Sequence, residues 1–520
     1  MKQSKEIFKR VAIGAMAVFM LLPTFVSCKK KNSDDNSTSE VSTTGEAEAK
    51  DVLEGVNFGG KSLDVLYWKS NNLQEYMKEY DAVDEINQMV YERNKRTEEQ
   101  LGLSVTWNEF TNGGGRGAEF VKAVEEDVLA GGGYDVICSQ NMDAGTLTVN
   151  GMYSDLKRSK YMDFSSPWWR QKLLQDCTIY DKLYFCTGDI STNLIFMSSV
   201  IFFNKTMVEN NHINESIEQR YGVKSLYELV ESGLWTYEAM FSLSQDIWTD
   251  NDNNKEKSFE DTFGFGTYGT LVDNFYYGAG YKMIDVDSDG LRRSSDYTDK
   301  VEQVESILTL CKNFFEKDGA LDFNRLKGEN YFDIVRNSFK NNKLMFSMAP
   351  ASHAKVGLYN AVNDLRYGVL PVPKYTVDQE GGYSSVLSNQ YSMYGVSIAS
   401  SKADAASAYL QGLGKYSYEL TRPVIYEKTM KGKFSEKSED ARMWECVEKS
   451  QTFDLGRIFA ESFRGTNASG TEIVITTDQF AGKIHRGTNT WQSSVDAWRV
   501  KLGACCNNIN AQLKKIAETN

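Results

Sequence analysis

The chain has 520 residues, 41% of them hydrophobic, and a formal net charge of −13. Such an acidic chain is repelled by nucleic acid and by anionic lipid, so nucleic acid is not among its expected partners. Only three His and eight Cys occur, with no Cys-x-x-Cys pair, which argues against a zinc site built from these residues.

The first 27 residues have the layout of a secretory signal. Basic side chains among residues 2–10 precede a mostly apolar run at 11–26, and Ser27 is a small residue at the expected cleavage site. The run is shorter than the about 20 apolar residues that cross a bilayer as a helix, which argues against an uncleaved anchor. Cys28 follows directly, as in the bacterial lipobox, whose thiol receives a diacylglycerol. We therefore predict an extracytoplasmic protein, anchored by a lipid on Cys28 to the outer face of the cell membrane.

Residues 28–50 are polar and contain no aromatic side chain. Because they cannot bury a core, we predict a flexible tether. The roughly 470 residues that follow are rich in Tyr, Phe and Trp and suffice for two or more domains.

The body begins with alternating strands and helices. Strands are predicted at 62–68, 103–110 and 134–138, and helices at 84–100 and 118–130. This order predicts an α/β fold with a mostly parallel sheet.

The carboxyl ends of such strands are the expected place for a ligand. Trp68, Lys69, Glu109, Gln140 and Asn141 occupy these ends, so position alone makes them candidates for ligand contacts. Trp68 is the best placed aromatic side chain because it ends the first strand.

Cys177 and Cys186 flank a predicted hairpin. A two-residue turn at Asp181 and Lys182 would place the two Cys opposite each other in a non-hydrogen-bonded pair, where side chains lie close together. Such a pair can form a disulfide; the alternative is two free thiols that share the hairpin.

An acidic loop suggests a metal site. Asp250, Asp252, Asn254 and Asp261 occupy positions 1, 3, 5 and 12 of an EF-hand-like loop, with Lys255 in place of the usual turn Gly. A second acidic stretch lies in a hairpin predicted farther along the chain. We predict calcium as an optional ligand and no required cofactor; the alternative is two solvated acidic turns.

Seven short segments occur in an informative order. They are YDVI (134–137), GMYSDL (151–156), DKLYF (181–185), IFFNK (201–205), LYELV with WTYEAM (226–240), FKNNKLMFSMAP (339–350) and YGVLPVP (367–373). Together they resemble the extracellular solute-binding proteins of bacterial ABC transporters, family 1, the maltose-binding-protein-like group.

The resemblance implies a two-lobed, periplasmic-binding-protein-like α/β fold. Each lobe is then a mixed, mostly parallel sheet flanked by helices, and the ligand cleft lies between the lobes. Carried onto this sequence, lobe one takes residues 51–189 and 372–420, and lobe two takes residues 190–371 and 421–520. The first crossing falls near 187–189, and hinge closure about the crossings traps the ligand.

The resemblance also implies ligand contacts in lobe two. The family carries a Trp that stacks on sugar after the segment matched by 339–350, and the corresponding positions here include Ser352 and His353. Because no Trp, Tyr or Phe stands there, the loop with Tyr276 and Tyr277 is predicted to supply rings for the C–H faces of a sugar.

The predicted function is that of a lipid-anchored, monomeric binding protein without enzymatic activity. It captures a solute, a mono- or oligosaccharide, and delivers it to ABC permease subunits. Two alternatives stay open: a surface glycoside hydrolase, which needs paired carboxylates across a cleft, and a chemosensory sugar-binding lipoprotein. The sequence contains no nucleophile elbow, HExxH motif or P-loop, which favours binding over catalysis.

Overall fold

The computed structural model describes residues 51–69, 75–76, 83–358, 365–467 and 469–519. The predicted signal, the lipidation site Cys28 and the tether lie outside the described residues. Within the described part of the chain, no helix is both long enough and apolar enough to cross a bilayer.

The elements alternate between strands and helices along the chain. The strands are β1 (Lys61–Trp68), β2 (Leu103–Phe110), β3 (Val136–Gln140), β4 (Ser199–Asn204), β5 (Trp248–Thr249), β6 (Thr262–Thr267), β7 (Ile284–Asp287), β8 (Gly290–Arg293), β9 (Ala320–Asp322), β10 (Leu344–Pro350), β11 (Tyr367–Pro371), β12 (Ser385–Val386), β13 (Ser392–Val396), β14 (Gln451–Thr452), β15 (Arg464–Thr466) and β16 (Glu472–Val474). The α-helices are α1 (Glu85–Leu101), α2 (Ala118–Leu129), α3 (Asn141–Val149), α4 (Gln171–Cys177), α5 (Lys205–Asn210), α6 (Ile213–Tyr221), α7 (Leu226–Glu231), α8 (Tyr237–Ser244), α9 (Asn274–Tyr277), α10 (Ser295–Asp299), α11 (Val301–Phe315), α12 (Tyr331–Lys340), α13 (Ala403–Tyr416), α14 (Ser438–Ser450), α15 (Leu455–Ile458), α16 (Ile475–His485) and α17 (Gln492–Thr519).

The first sheet has the strand order β13–β3–β1–β2. β1 is parallel to both β2 and β3, whereas β13 is antiparallel to β3. Trp68 pairs with Phe110, and Val65 pairs with Val136, so the carboxyl ends of β1, β2 and β3 lie at one edge. This sheet and the helices on it form lobe one, and its mixed, mostly parallel pairing confirms the prediction.

The second sheet forms lobe two, with the order β11–β4–β10–β6–β5 and with β9 paired to β6. β10 is parallel to β6 and antiparallel to β4. β4 and β10 are buried along their whole length, as expected for strands covered on both faces. Three of its five strand pairings are antiparallel, so the second sheet is mixed as predicted but not mostly parallel.

The sequence did not predict β6. Gly264 and Gly266 interrupt its apolar pattern and weaken the strand signal. The fold requires Gly there, because a Cβ on Gly264 would lie 2.0 Å from the carbonyl oxygen of Ser244 on α8. Close packing of the helix on the strand thus explains both the glycine and the missed element.

Local capping sets the ends of α1. The Asp84 side chain accepts a hydrogen bond from the Asn87 N–H at 3.1 Å, and Gly102 ends the helix with a left-handed φ of 58°. The buried face, with Ile86 and Val90, packs against α13 within lobe one. The helix predicted at 84–100 is confirmed to within one residue.

Two neighbouring connections join the lobes: the first crossing, at residues 186–198, and the second crossing, at residues 387–394. Cys186 forms an antiparallel bridge with Tyr394, and Ser198 forms another with Leu387. The Thr187 hydroxyl donates to the carbonyl oxygen of Ser392 at 2.9 Å, which ties the first crossing to the second.

A third connection is helical. It leads from α13 on lobe one through two π-helical segments, Ser417–Thr421 and Val424–Lys433, to α14, which packs on β11 of lobe two. The strands of each sheet fall within the residue ranges assigned to that lobe, and the lobe boundaries themselves stay a prediction.

The predicted disulfide between Cys177 and Cys186 is wrong, because both thiols are free and buried. Ile179 pairs with Lys182, and the intervening Tyr180 and Asp181 both have positive φ, as in a type I′ turn. The turn therefore lies one residue earlier than predicted. Counting outward from this turn, residue 177 falls opposite residue 184 and not opposite Cys186. Cys177 is also the last residue of α4 and not part of a strand, so the two Cys do not form the predicted pair.

Candidate functional site

The strand-end candidates of lobe one differ in exposure. Lys69 and Glu109 are exposed, and Glu109 accepts a hydrogen bond from the Tyr67 hydroxyl at 3.3 Å. Trp68 is fully buried, and its indole N–H donates to Ser392 Oγ at 3.0 Å. The Trp68 ring is covered in this structure, as are the side chains of Gln140 and Asn141, and its contact with a ligand stays a prediction.

Trp68 belongs to a buried network around Glu75, which the sequence did not single out. The Ser392 hydroxyl donates to Glu75 Oε2 at 2.9 Å and accepts from the Tyr76 hydroxyl at 2.8 Å, while the Tyr394 hydroxyl donates to Glu75 Oε1. Desolvation raises the pKa of Glu75, and these hydrogen bonds act in the opposite direction. The network fastens the end of β1 to the second crossing.

Asn141 links the edge of lobe one to the second crossing. Its backbone N–H donates to the Tyr391 carbonyl at 2.9 Å, and its side-chain oxygen accepts from the Gln390 N–H at 3.0 Å. Its side-chain nitrogen donates to Asn389 Oδ1 at 3.3 Å. Gln140 is also buried, and its Oε1 has no hydrogen-bond partner among the described residues. Both amides therefore lie between the lobes, and their contact with a ligand stays a prediction.

Arg457 of α15 contacts Asn389, the partner of Asn141, from the side of lobe two. Its Nη1 lies 3.1 Å from Asp273 Oδ2, with both side chains at most 5% exposed. Its Nη2 donates to Asn389 Oδ1 at 3.4 Å, and its guanidinium lies 5.9 Å from the centre of the Tyr277 ring. Burial raises the pKa of Asp273, and Arg457 opposes that shift.

These side chains form one polar group between the lobes, which we call the interlobe cluster. Its members are Gln140, Asn141, Asp273, Tyr277, Asn389 and Arg457. Strand-end reasoning found the two amides of β3 and α3, whereas Asp273, Asn389 and Arg457 gave no local signal because distant segments bring them together.

Tyr276 is a core residue. It lies in α9, not in a loop as predicted, and it is fully buried. Its ring packs against Phe480 at 5.5 Å and Trp491 at 6.0 Å, and its hydroxyl donates to the Lys282 carbonyl at 3.0 Å. The stacking role predicted for Tyr276 is therefore wrong in this structure, because the C-terminal helices cover the ring.

His353 belongs to an aromatic group at the edge of lobe two. Its ring is parallel to Tyr268, with centroids 6.3 Å apart, and it meets Phe332 edge to face at 4.5 Å. His353 and Ser352 are buried, whereas Tyr268 and Phe332 are half-buried. Desolvation lowers the pKa of His353 to about 3, so the ring is neutral at physiological pH. Tyr268 follows the unpredicted strand β6, and for this reason the sequence missed it.

The acidic loop gathers three carboxylates. Oxygens of Asp250, Asp252 and Asp261 all lie within 4.8 Å of one another, and the Asn254 N–H donates to Asp250 at 3.1 Å. Lys255 has a φ of 63° where an EF-hand has its turn Gly. The chain therefore adopts the turn that this loop pattern needs, although a non-glycine residue occupies it.

The second acidic stretch forms the predicted hairpin, β7–β8. Asp287 pairs with Arg292 at 3.1 Å, and Asp296 accepts from the Lys282 N–H at 3.1 Å. Within the described residues, this stretch forms no group of three carboxylates comparable to the first loop.

No protein-family model and no curated protein matches the sequence. Solved structures do match its fold. A cyclo/maltodextrin-binding protein complexed with maltotetraose aligns with 86% of this chain and 97% of its own, at 12% identity and a TM-score of 0.51. UspC from M. tuberculosis aligns with 85% of this chain and all of its own, at 12% identity and the same TM-score. The similarity confirms the two-lobed α/β fold that the motif order predicted.

Proposed function

We propose that the chain is an extracellular solute-binding protein that captures a carbohydrate and delivers it to an ABC permease. The interlobe cluster is the observation that carries this proposal. It places amide, guanidinium and phenol groups from both lobes and from a crossing around one region, in a fold that also occurs in a maltodextrin-binding protein. A ligand bound there would contact both lobes at once.

The side chains suit a sugar. Amides and charged groups hydrogen-bond to hydroxyls, and buried polar atoms such as Gln140 Oε1 gain from a polar partner. The half-buried rings of Tyr268 and Phe332 offer apolar faces to sugar C–H groups.

Binding is favoured over glycoside hydrolysis by the carboxylates of the cluster. A glycosidase uses two carboxyl groups on either side of the scissile bond. The interlobe cluster contains Asp273, which is engaged by Arg457. The neighbouring carboxyl group of Asp143 accepts hydrogen bonds from Gln140 at 3.4 Å and from the Gly117 N–H at 2.9 Å, so both carboxyl groups are held by protein partners. We therefore propose a binding protein and not an enzyme.

The location and partners follow from the N-terminal pattern. We propose that a lipid on Cys28 holds a monomeric protein at the membrane, where the cleft samples the medium close to the permease. The lipobox-like position of Cys28 and the polar segment after it support this proposal.

We also propose that calcium binds the loop with Asp250, Asp252 and Asp261. Oxygen ligands are those that calcium prefers, and three of them already converge in the loop.

A thermal-shift experiment tests the binding function. Maltotetraose and a panel of mono- and oligosaccharides are added to the purified protein, and at least one is expected to raise the melting temperature. Ligand at 100 times Kd stabilises the folded state by about 2.7 kcal/mol. Gln140→Ala should weaken that sugar about tenfold, because a buried hydrogen bond to the ligand is lost.

Gln303→Ala, on the exposed face of α11, is the matched control and should leave the affinity unchanged. Absence of a shift with every sugar, or multiple turnovers of sugar cleavage, would contradict the proposal.

A further inference from the structure

The lobes also touch away from their three connections. On lobe one this second contact involves α3, α4 and the turn at Tyr180. On the other side it involves the β7–β8 hairpin and α15, which follows the third connection.

The α3–α15 contact is a close approach of two backbones. A Cβ on Gly145 would lie 2.1 Å from the carbonyl oxygen of Ile458 and 3.1 Å from the Cα of Phe459. The Phe459 ring lies 6.5 Å from Phe185 of lobe one. Only glycine fits at residue 145 without displacing α15.

α15 is at the same time fixed to lobe two. Arg457 on α15 pairs with Asp273, and the Asp454 side chain accepts from the Met283 N–H at 2.9 Å. Desolvation raises the pKa of Asp454 to about 6, so the group is mainly ionised at neutral pH and suits these backbone donors. A displacement of α15 from α3 therefore requires movement of lobe two.

The hairpin makes a second, polar part of the contact. Lys282 Nζ lies 2.8 Å from Asp176 Oδ1 on α4, and the Tyr180 hydroxyl donates to the Asp289 carbonyl at the hairpin tip at 2.8 Å. Asp176 is 9% exposed, so its ion pair with Lys282 stabilises the contact more than an ion pair at an open surface would.

We propose that these contacts form an interlobe brace, which holds the two lobes at one angle before any ligand binds. Its members are Gly145, Asp176 and Tyr180 on lobe one, with Lys282, Asp289 and Ile458 on the other side. A rotation about the crossings must separate the backbones of α3 and α15 and break the Lys282–Asp176 pair. The brace goes beyond the proposed function and depends on no particular ligand.

Distance measurements by pulsed electron resonance test the brace in the full-length protein in detergent. Labels are attached to ketone-bearing residues introduced at Leu129 on α2 and Asn337 on α12, both exposed, which leaves the native cysteines unlabelled. The ligand-free protein should give one narrow distance distribution. Gly145→Ala should add a second population or shift the mean distance, because the new methyl group displaces α15.

Gly503→Ala is the matched control, since a Cβ on this helical glycine meets only the end of the Arg293 side chain, at 3.4 Å. It should leave the distribution unchanged.

Lys282→Gln tests the brace without a steric change, in case Gly145→Ala prevents folding. It should broaden the distribution. Lys172→Gln is its control, because Lys172 pairs with the same Asp176 at 3.1 Å but from within α4. A broad distribution in the unmodified protein, or the same narrow one in folded Lys282→Gln, would overturn the proposal. These outcomes do not depend on sugar binding, so they are separate from a failure of the proposed function.

Discussion

Arg457 connects three parts of the molecule through one side chain. It contacts Asp273 of lobe two, Asn389 of the second crossing and the ring of Tyr277. A buried charge is costly unless it is paired, so each partner depends on the other. The interlobe cluster should therefore respond strongly to the loss of one member.

Arg457→Met should destabilise the protein by about 2–3 kcal/mol, because the buried Asp273 carboxyl, whose pKa burial raises to about 8, loses its partner and takes up a proton. Urea unfolding at neutral pH measures the change. The double variant with Asp273→Asn should recover a large part of the loss. Arg464→Met removes an exposed pair with Glu461 and should cost no more than about 1 kcal/mol. Equal losses in the two single variants would contradict this account.

His353 should make stability depend on acid pH. Its folded-state pKa of about 3 lies below the value of about 6.5 in an unfolded chain, so the unfolded state binds more protons between these limits. Stability should fall as pH decreases from 6.5 towards 3, by a few kcal/mol at most from this group.

His353→Gln should remove that part of the slope in unfolding experiments across the window. His212→Gln, at a side chain 78% exposed, should not change the slope. A wild-type slope retained in His353→Gln would show that other groups cause the dependence.

For single residues, the sequence predicted where a side chain lies in the fold better than it predicted what surrounds that side chain. Gln140 and Asn141 were found because a strand end fixes where a side chain must lie. The same rule found Trp68, but whether its ring faces solvent depends on Ser392 and Tyr76, which the strand pattern does not show. Asp273 and Arg457 were missed since their nearness arises from packing between segments far apart in the chain.

Among the secondary-structure elements, the backbone conformation of the turn residues set the register of a hairpin. The pattern of polar and apolar residues does not determine that register. The hairpin before the first crossing turns at Tyr180 and Asp181, which both take positive φ, instead of at the pair one residue later. Asp and Asn tolerate this conformation, and Tyr does so less often, so local preference did not reveal the register. In the acidic loop, Lys255 likewise takes a positive φ that its residue type does not predict.

The acidic loop should bind calcium in a way that a chelator reverses. With calcium in excess, the melting temperature should be higher than with EDTA, because the ion binds only the folded loop. Asp250→Asn combined with Asp252→Asn should remove the difference. Asp287→Asn in the β7–β8 hairpin is the control and should keep it. An identical melting temperature with calcium and with EDTA would exclude the site.

For the whole molecule, the connections and the anchor serve different purposes. The two paired crossings and the π-helical third connection join the lobes, and the C-terminal helices extend from lobe two onto α3. The proposed lipid would act only through residues before this body.

Cys28→Ser should release the protein from the membrane and leave sugar affinity intact, since the predicted tether separates the anchor from the cleft. Fractionation measures the release, and thermal shift measures the affinity. Cys446→Ser, at a partly exposed thiol of the body, should leave the protein in the membrane fraction. Loss of affinity together with loss of anchoring would show that Cys28 has a role in the body.

The sequence by itself determined the alternation of strands and helices, the order of the motifs and hence the two-lobed fold, because these depend on local periodicity and on segments that keep their order along the chain. Only the tertiary structure decided which polar groups meet between the lobes, that Tyr276 is core, and that Cys177 and Cys186 stay apart. Such outcomes depend on contacts between residues hundreds of positions apart and on where a hairpin turns, because moving the turn by one residue changes which side chains lie opposite each other.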